Sequence, residues 1–87
     1  MLAKAIRIAA TGGPEVMEYV DVEAPAPGPG EARIVQHAIG LNFIDVYFRT
    51  GLYPQPLPGY LGKEGAGVVE AVGEGVTHVR PGDRVAY

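Results

Sequence analysis

Short apolar segments follow one another along most of this chain, and thirteen glycines and eight prolines separate them. Few windows are long enough to sustain a helical period, and several segments are rich in β-branched residues, which is typical of strands bounded by turns. We therefore expect a mainly β fold. The segments that predict strands are residues 2–8, 17–22, 33–41, 67–72 and 84–87.

The segment 42–50, NFIDVYFRT, is the exception and predicts one short helix. Asn42 is a suitable N-cap, and Gly51 is a suitable stop at the other end. At about 100° per residue, apolar side chains collect on one side of this helix and polar side chains on the opposite side. The apolar side has Phe43, Val46 and Tyr47, with Ile44 and Phe48 beside them, and the polar side has Asn42, Asp45 and Arg49. We expect the polar side to face water or a site.

The composition fits a small folded protein. The 87 residues allow one small core, and 47% hydrophobic residues against 20% charged ones are sufficient for folding. The formal charge is −3 and the basic residues are dispersed, so no basic patch indicates a nucleic-acid partner. The absence of cysteine excludes disulfides, thiol nucleophiles and thiolate metal sites. Neither a signal peptide nor a span of about 20 apolar residues is present, so we expect a cytoplasmic protein without a membrane partner.

The common nucleotide-binding and metal-binding patterns are missing. The Gly-x-Gly pair that begins at Gly65 has Glu70 where a dinucleotide fingerprint requires its third glycine, and Leu57 occupies the first position of a P-loop. His37 and His78 are far apart, and neither has a second ligand at a typical spacing. We interpret His37 as a surface or half-buried strand residue and His78 as a loop residue, and we expect no metal site.

Two pairs of side chains around the predicted helix are open to two interpretations each. Asp45 and Arg49 either face a site with the rest of the polar side or form a surface ion pair worth about 0.2–0.5 kcal/mol, and their spacing of four residues alone favours the ion pair. Tyr47 and Tyr53 flank the polar side, where their phenols either donate hydrogen bonds to a ligand or simply pack.

Four separated stretches of the sequence resemble one known family. They are GGPEVM, AIGLNFIDVYFRTGLYP, GKEGAGVVEAVGEGV and PGDRVAY, and they occur in the order and with the gaps of that family. The family is the NADPH:quinone oxidoreductases, the zeta-crystallin-like branch of the zinc-independent medium-chain dehydrogenase/reductase superfamily. The resemblance covers essentially the whole chain, residues 1–87, as the N-terminal catalytic domain. It implies a GroES-like fold, which is a partly open β-barrel with one or two short helices.

The resemblance also implies a cofactor, a substrate and site residues. NADPH binds mainly to a Rossmann domain that these residues do not include, and a quinone accepts the hydride. The residues expected to border the nicotinamide end of NADPH are Asn42, Phe43, Ile44, Asp45, Val46 and Tyr47. Tyr53 is expected near the quinone, and Asn42 and Tyr53 are the candidate catalytic residues that orient its carbonyl group.

Zinc-dependent alcohol dehydrogenases of the superfamily are similar to this chain but differ at two ligand positions. They carry Cys where Asn42 stands and His where Lys63 stands. A charged ammonium has no lone pair and an amide is a poor substitute for a thiolate, so we expect no zinc. Glu64, which the zinc enzymes share, is expected to have a structural role. Lys63 is expected either to be exposed to solvent or to contact an anionic ligand.

Two functions are consistent with this sequence. In the first, the chain is part of an NADPH:quinone oxidoreductase that is active only when its Rossmann domain is present. The resemblance allows a homodimer of the full-length enzyme and leaves the oligomeric state open. In the second, it is a stand-alone, non-catalytic GroES-like interaction module. The last predicted strand reaches the chain end, so we expect further sequence. A glycine-rich strand-turn-helix after Tyr87 would favour the enzyme, and a stop codon would favour the module.

Overall fold

The computed structural model describes all 87 residues and is mainly β, as predicted. The strands are β1 (Leu2–Ile8), β2 (Met17–Glu23), β3 (Ala32–Gly40), β4 (Gly59–Tyr60), β5 (Glu64–Val72) and β6 (Arg84–Ala86). One α-helix, α1 (Phe43–Thr50), and one 3-10 turn (Pro14–Val16) complete the regular structure. No helix has the length and apolar character needed to cross a membrane.

The chain divides into two compact units. Unit 1 comprises Met1–Ala24 and Leu41–Lys63, and unit 2 comprises Pro25–Gly40 and Glu64–Tyr87. Each unit contains an open three-stranded sheet. That the chain forms a single domain stays a prediction.

Unit 1 is built on the antiparallel sheet β2-β1-β4. β1 pairs with β2 along its whole length and with β4 at Arg7 and Ile8. Ile8 is completely buried and forms the centre of this unit. The N–H of Leu61 donates to the carbonyl oxygen of Ile6 at 3.1 Å, which extends the contact with β1 beyond β4. The hydrogen bonds of β1, the central strand, therefore fix the position of residues 59–61, which lead to residues 62 and 63.

Unit 2 is built on the antiparallel sheet β3-β5-β6, with Val69 buried at 2% exposure. His37 has no partner in the pairing of β3 with β5, because the register shifts between Gln36 and Ala38. Its side chain is exposed. A Cβ on Gly67 would lie 2.0 Å from the carbonyl oxygen of Val35, so only glycine permits this approach of the two strands.

Most predicted elements agree with the structure within one or two residues. β1 has the predicted bounds, and α1 begins one residue late because Asn42 is its N-cap. β5 begins at Glu64, three residues before the predicted start, and so includes Gly65 as well as Gly67. The sequence did not predict β4 or the 3-10 turn.

Candidate functional site

The N-terminus of α1 is fixed by hydrogen bonds between residues 42 and 45. Asn42 is the N-cap, with an extended backbone (φ −125°, ψ 159°), which confirms its predicted place. Its N–H donates to the Asp45 carboxylate at 3.0 Å, and its carbonyl oxygen accepts the Asp45 N–H at 3.0 Å. At the other end, Gly51 adopts the left-handed conformation (φ 88°) and donates its N–H to the carbonyl of Tyr47. Both predicted ends of the helix are therefore confirmed.

Asp45 is the only buried residue of α1, with 3% of its surface exposed. Its second carboxylate oxygen accepts the N–H of Gly62 at 3.0 Å, so each oxygen binds one main-chain donor. Gly62 has φ 108°, a conformation that side chains other than glycine adopt at a cost. Hydrogen bonds to an ionised acceptor are stronger than neutral ones. One carboxylate therefore holds the main chain at residues 42 and 62 together.

Arg49 also binds main chain rather than a carboxylate. Its guanidinium donates to the carbonyl oxygen of Gly12 at 2.7 Å, and the N–H of Gly12 donates to the Arg49 carbonyl at 2.9 Å. No ion pair joins Asp45 to Arg49, so the interpretation of a surface ion pair is wrong. The polar side of α1 faces the loops at residues 12 and 62, because β1 and β4 bring those loops to it.

Four aromatic rings, Phe43, Tyr47, Phe48 and Tyr53, form a continuous aromatic cluster on α1 and the loop after it. Successive edge-to-face pairs have ring centroids 5.4 Å (Phe43–Tyr47), 5.1 Å (Tyr47–Tyr53) and 5.8 Å (Phe48–Tyr53) apart. The N–H of Tyr53 donates to the Tyr47 carbonyl at 3.1 Å, which fixes Tyr53 against the helix end. Phe43 is 71% exposed and Tyr53 44% exposed, so the cluster presents aromatic surface to solvent.

The three residues 62–64 have three different environments. Gly62 forms the turn bound by Asp45, and Lys63 is exposed with its Nζ atom 4.3 Å from the centroid of the Phe48 ring, a cation–π contact. Lys63 is therefore exposed to solvent, the first of its two expected placements, and contact with an anionic ligand stays a prediction. Glu64 begins β5 in unit 2, opposite Gly40, and its side chain fills the space that a Cβ on Gly40 would occupy. This placement is consistent with a structural role for Glu64.

All the residues that the sequence analysis assigned to a site lie in unit 1. Asn42 and Phe43 are exposed, Ile44, Val46 and Tyr47 are half-buried, and the carboxylate of Asp45 is buried. His37 and His78 are exposed, on β3 and in a loop, as predicted. A cleft of about 490 Å³ in unit 2 contains none of the assigned residues. No three His, Cys, Asp or Glu side chains are grouped so as to hold a metal ion.

Residues 28–87 match the alcohol dehydrogenase GroES-like domain family. The chain belongs to this family. The GroES-like fold that the resemblance implied is therefore confirmed, with its sheets open rather than closed into a barrel.

Several relatives of this GroES-like domain are quinone oxidoreductases. The quinone oxidoreductase of Pseudomonas aeruginosa is 62% identical over 87 residues, which cover 99% of this chain and 27% of that protein. The crystal structure of Escherichia coli quinone oxidoreductase complexed with NADPH superposes with a TM-score of 0.95 at 49% identity, covering 98% of this chain and 26% of that one. The crystal structure of the quinone oxidoreductase of Pseudomonas syringae pv. tomato superposes with a TM-score of 0.94 at 61% identity. The superposition covers 100% of this chain and 27% of that one. The chain thus spans about a quarter of these proteins, and the resemblance to their N-terminal domain is confirmed.

Sequence reasoning missed two features of this site in the GroES-like domain. No local sequence pattern predicts the hydrogen bond between Asp45 and the main chain of Gly62, because the two residues are 17 positions apart. The contact of Lys63 with the Phe48 ring likewise follows no helical or strand period. Both depend on the pairing of β4 with β1, which the sequence analysis did not predict.

Proposed function

We propose that this GroES-like domain binds the acceptor in an NADPH-dependent quinone oxidoreductase. The observation that carries the proposal is the exposed aromatic cluster beside Asn42. A quinone is a flat ring with two carbonyl oxygens, and aromatic side chains with a few placed donors are the usual lining for such a ligand. The relatives named quinone oxidoreductases, one of them solved with NADPH, support the same assignment.

Asn42 and Tyr53 are the proposed catalytic residues. The Asn42 side-chain amide and the Tyr53 hydroxyl can each donate a hydrogen bond to a carbonyl oxygen. The Tyr53 hydroxyl has no hydrogen-bond partner within the protein, and its ring is held by Tyr47 and Phe48. A donor on a fixed ring orients the acceptor without the entropic cost of ordering a flexible side chain. NADPH supplies the hydride when it is bound.

The residues at the start of α1 fit only one end of NADPH. Asn42 and Phe43 are exposed and can border the nicotinamide ring, with Ile44, Val46 and Tyr47 half-buried behind them. Asp45 contributes by holding the main chain of Asn42 rather than by direct contact, because its side chain is buried and bound to main-chain donors. The chain has no glycine-rich cradle for phosphates. We therefore assign the pyrophosphate and adenosine to a Rossmann domain outside these residues.

The proposed function predicts that the full-length protein containing this domain oxidises NADPH in the presence of 1,4-benzoquinone. The measurement is the loss of NADPH absorbance at steady state, with a reaction lacking the quinone as the control. A protein that is folded and binds NADPH but shows no quinone-dependent oxidation would contradict the proposal and leave the interaction module as the function.

We also propose that the reaction proceeds without zinc. Asn42 and Lys63 occupy the positions where zinc-dependent relatives carry Cys and His, and the ammonium of Lys63 lies on the Phe48 ring with no carboxylate in contact. A cation at this position repels a second cation and donates no electron pair.

The corresponding measurement is elemental analysis of the purified full-length protein. It should contain zinc at well below one equivalent per chain, and treatment with a chelator should leave quinone reduction unchanged. The control is a zinc-dependent alcohol dehydrogenase purified and treated in parallel. One equivalent of zinc, with activity lost on chelation, would show that the substitutions do not abolish the metal site.

A further inference from the structure

Lys63 differs from the other basic side chains of unit 1, which are Lys4, Arg7 and Arg49. Lys4 and Arg7 form ion pairs with Asp21 and Glu18, and Arg49 donates to a main-chain carbonyl. Lys63 makes neither an ion pair nor a hydrogen bond within the protein, and its only described contact is with the face of Phe48. Its charge is therefore not neutralised by the domain itself.

The main chain that carries Lys63 is fixed on its N-terminal side. The N–H of Gly62 is bound to the buried carboxylate of Asp45, and the N–H of Leu61 is bound to β1. The side chain thus extends from a defined point, and the Phe48 ring limits where its ammonium can lie. The negative face of an aromatic ring attracts a cation, which favours this position of the ammonium.

Phe48 connects Lys63 to the residue proposed to orient the acceptor. Its ring packs edge-to-face with Tyr53 at 5.8 Å and carries the Lys63 ammonium at 4.3 Å. The ammonium and the Tyr53 phenol therefore contact the same ring. An acceptor that hydrogen-bonds to Tyr53 and extends past the Phe48 ring would bring its substituents towards this unneutralised positive charge.

We infer that Lys63 is a specificity-determining residue that favours acceptors carrying a negatively charged group beside the quinone ring, such as a sulfonate or a carboxylate. This inference rests on the proposed function, because it assumes that the aromatic cluster binds the acceptor. An ammonium suits this task as a point charge that needs no fixed geometry from its partner. The ion pair would form near the surface, where unit charges about 4 Å apart attract by about 1 kcal/mol in water.

The test compares 1,4-naphthoquinone with its 2-sulfonate as acceptors for the full-length protein. The quantity of interest is the ratio of kcat/KM for the sulfonate to kcat/KM for the neutral quinone. Lys63→Met keeps an unbranched side chain of nearly the same length and removes its charge, so it should lower this ratio about fivefold. Lys63→Arg keeps the charge and should retain most of the preference. Raising the ionic strength should reduce the ratio in the wild type but not in Lys63→Met.

Lys4→Met is the matched control, because it removes an exposed lysine of the same unit that is paired with Asp21. The ratio should not change in this variant. If Lys63→Met leaves the ratio at the wild-type value, or if Lys63→Arg lowers it as much as Lys63→Met does, the inference is overturned.

A binding measurement separates failure of this inference from failure of the proposed function. Naphthalene-2-sulfonate accepts no hydride, so its affinity can be measured by calorimetry in the absence of NADPH. Wild-type protein should bind it about fivefold more tightly than Lys63→Met. If no quinone is reduced but this difference is observed, the proposed reaction fails and the anion site stands. If quinones are reduced but no difference is observed, the proposed reaction stands and the role of Lys63 fails.

Discussion

Replacing Asp45 with alanine is expected to destabilise this domain more than any other change in its polar side chains. The variant removes the acceptor of two part-buried main-chain donors, the N–H groups of Asn42 and Gly62. Unsatisfied buried donors cost about 1–3 kcal/mol each, and partial access of water limits the total to about 2–3 kcal/mol. In a full-length protein of the relatives' size, about four times this chain, this corresponds to a decrease in melting temperature of roughly 3–5 °C.

The measurement is a thermal melt of the full-length protein together with amide hydrogen exchange. Exchange should accelerate at residues 42 and 62 in Asp45→Ala, since both amides lose the same partner. Asp45→Asn retains one acceptor oxygen and should lose about half as much stability. Asp21→Ala is the matched control, because Asp21 is an exposed carboxylate whose ion pair with Lys4 contributes little. Equal melting temperatures for Asp45→Ala and Asp21→Ala would refute the role assigned to Asp45.

Local sequence pattern predicted the parts of the fold that depend on local interactions. The bounds of α1 follow from a cap at Asn42 and a left-handed glycine at 51, and both signals act within one turn of the helix. β1 was predicted with its observed bounds. β4 was missed because it has two residues and exists only through its pairing with Arg7 and Ile8, about fifty positions earlier in the chain.

Periodicity predicted which side chains share a side of α1 but not what that side faces. It placed Asn42, Asp45 and Arg49 together, yet the structure buries Asp45 and leaves Phe43 71% exposed. The reason is that the loops at residues 12 and 62 supply main-chain partners to the polar side. A helical period contains no information about those loops. The polar side was expected to face water or a site, and the first of these alternatives is wrong for Asp45.

The same carboxylate connects the stability of the domain to the proposed site. Asp45 holds the main chain of Asn42, the proposed donor to the acceptor, and that of Gly62, the residue before Lys63. Both proposed ligand contacts therefore depend on one buried group that need not touch a ligand itself. A positioning role of this kind accounts for a charged residue in the helix that is almost inaccessible to solvent.

The largest effect on catalysis is expected from Asn42→Ala in the full-length protein. If the side-chain amide donates to the acceptor oxygen as negative charge accumulates there, its loss costs about 1.5–3 kcal/mol, a decrease of about 10-fold to 100-fold in kcat/KM. The variant should also lose about 1 kcal/mol of stability, because Asn42 is the N-cap of α1, although alanine retains the main-chain N–H and carbonyl that bond to Asp45. Tyr53→Phe removes one neutral hydrogen bond and keeps the ring in the aromatic cluster, so a twofold to tenfold decrease of about 0.5–1.5 kcal/mol is expected.

His37→Ala and His78→Ala are the controls for this series, because both histidines are exposed and neither has an assigned role. All four variants are compared by steady-state reduction of 1,4-benzoquinone, with melting temperatures measured on the same samples. The assignment requires the order Asn42→Ala, then Tyr53→Phe, then the two histidine variants, from the largest loss of kcat/KM to the smallest. If the histidine variants remain folded and lose more activity than Asn42→Ala and Tyr53→Phe, the acceptor does not bind at the aromatic cluster. A large loss of both melting temperature and activity in Asn42→Ala would instead make residue 42 a structural cap, with Tyr53 as the only donor to the quinone.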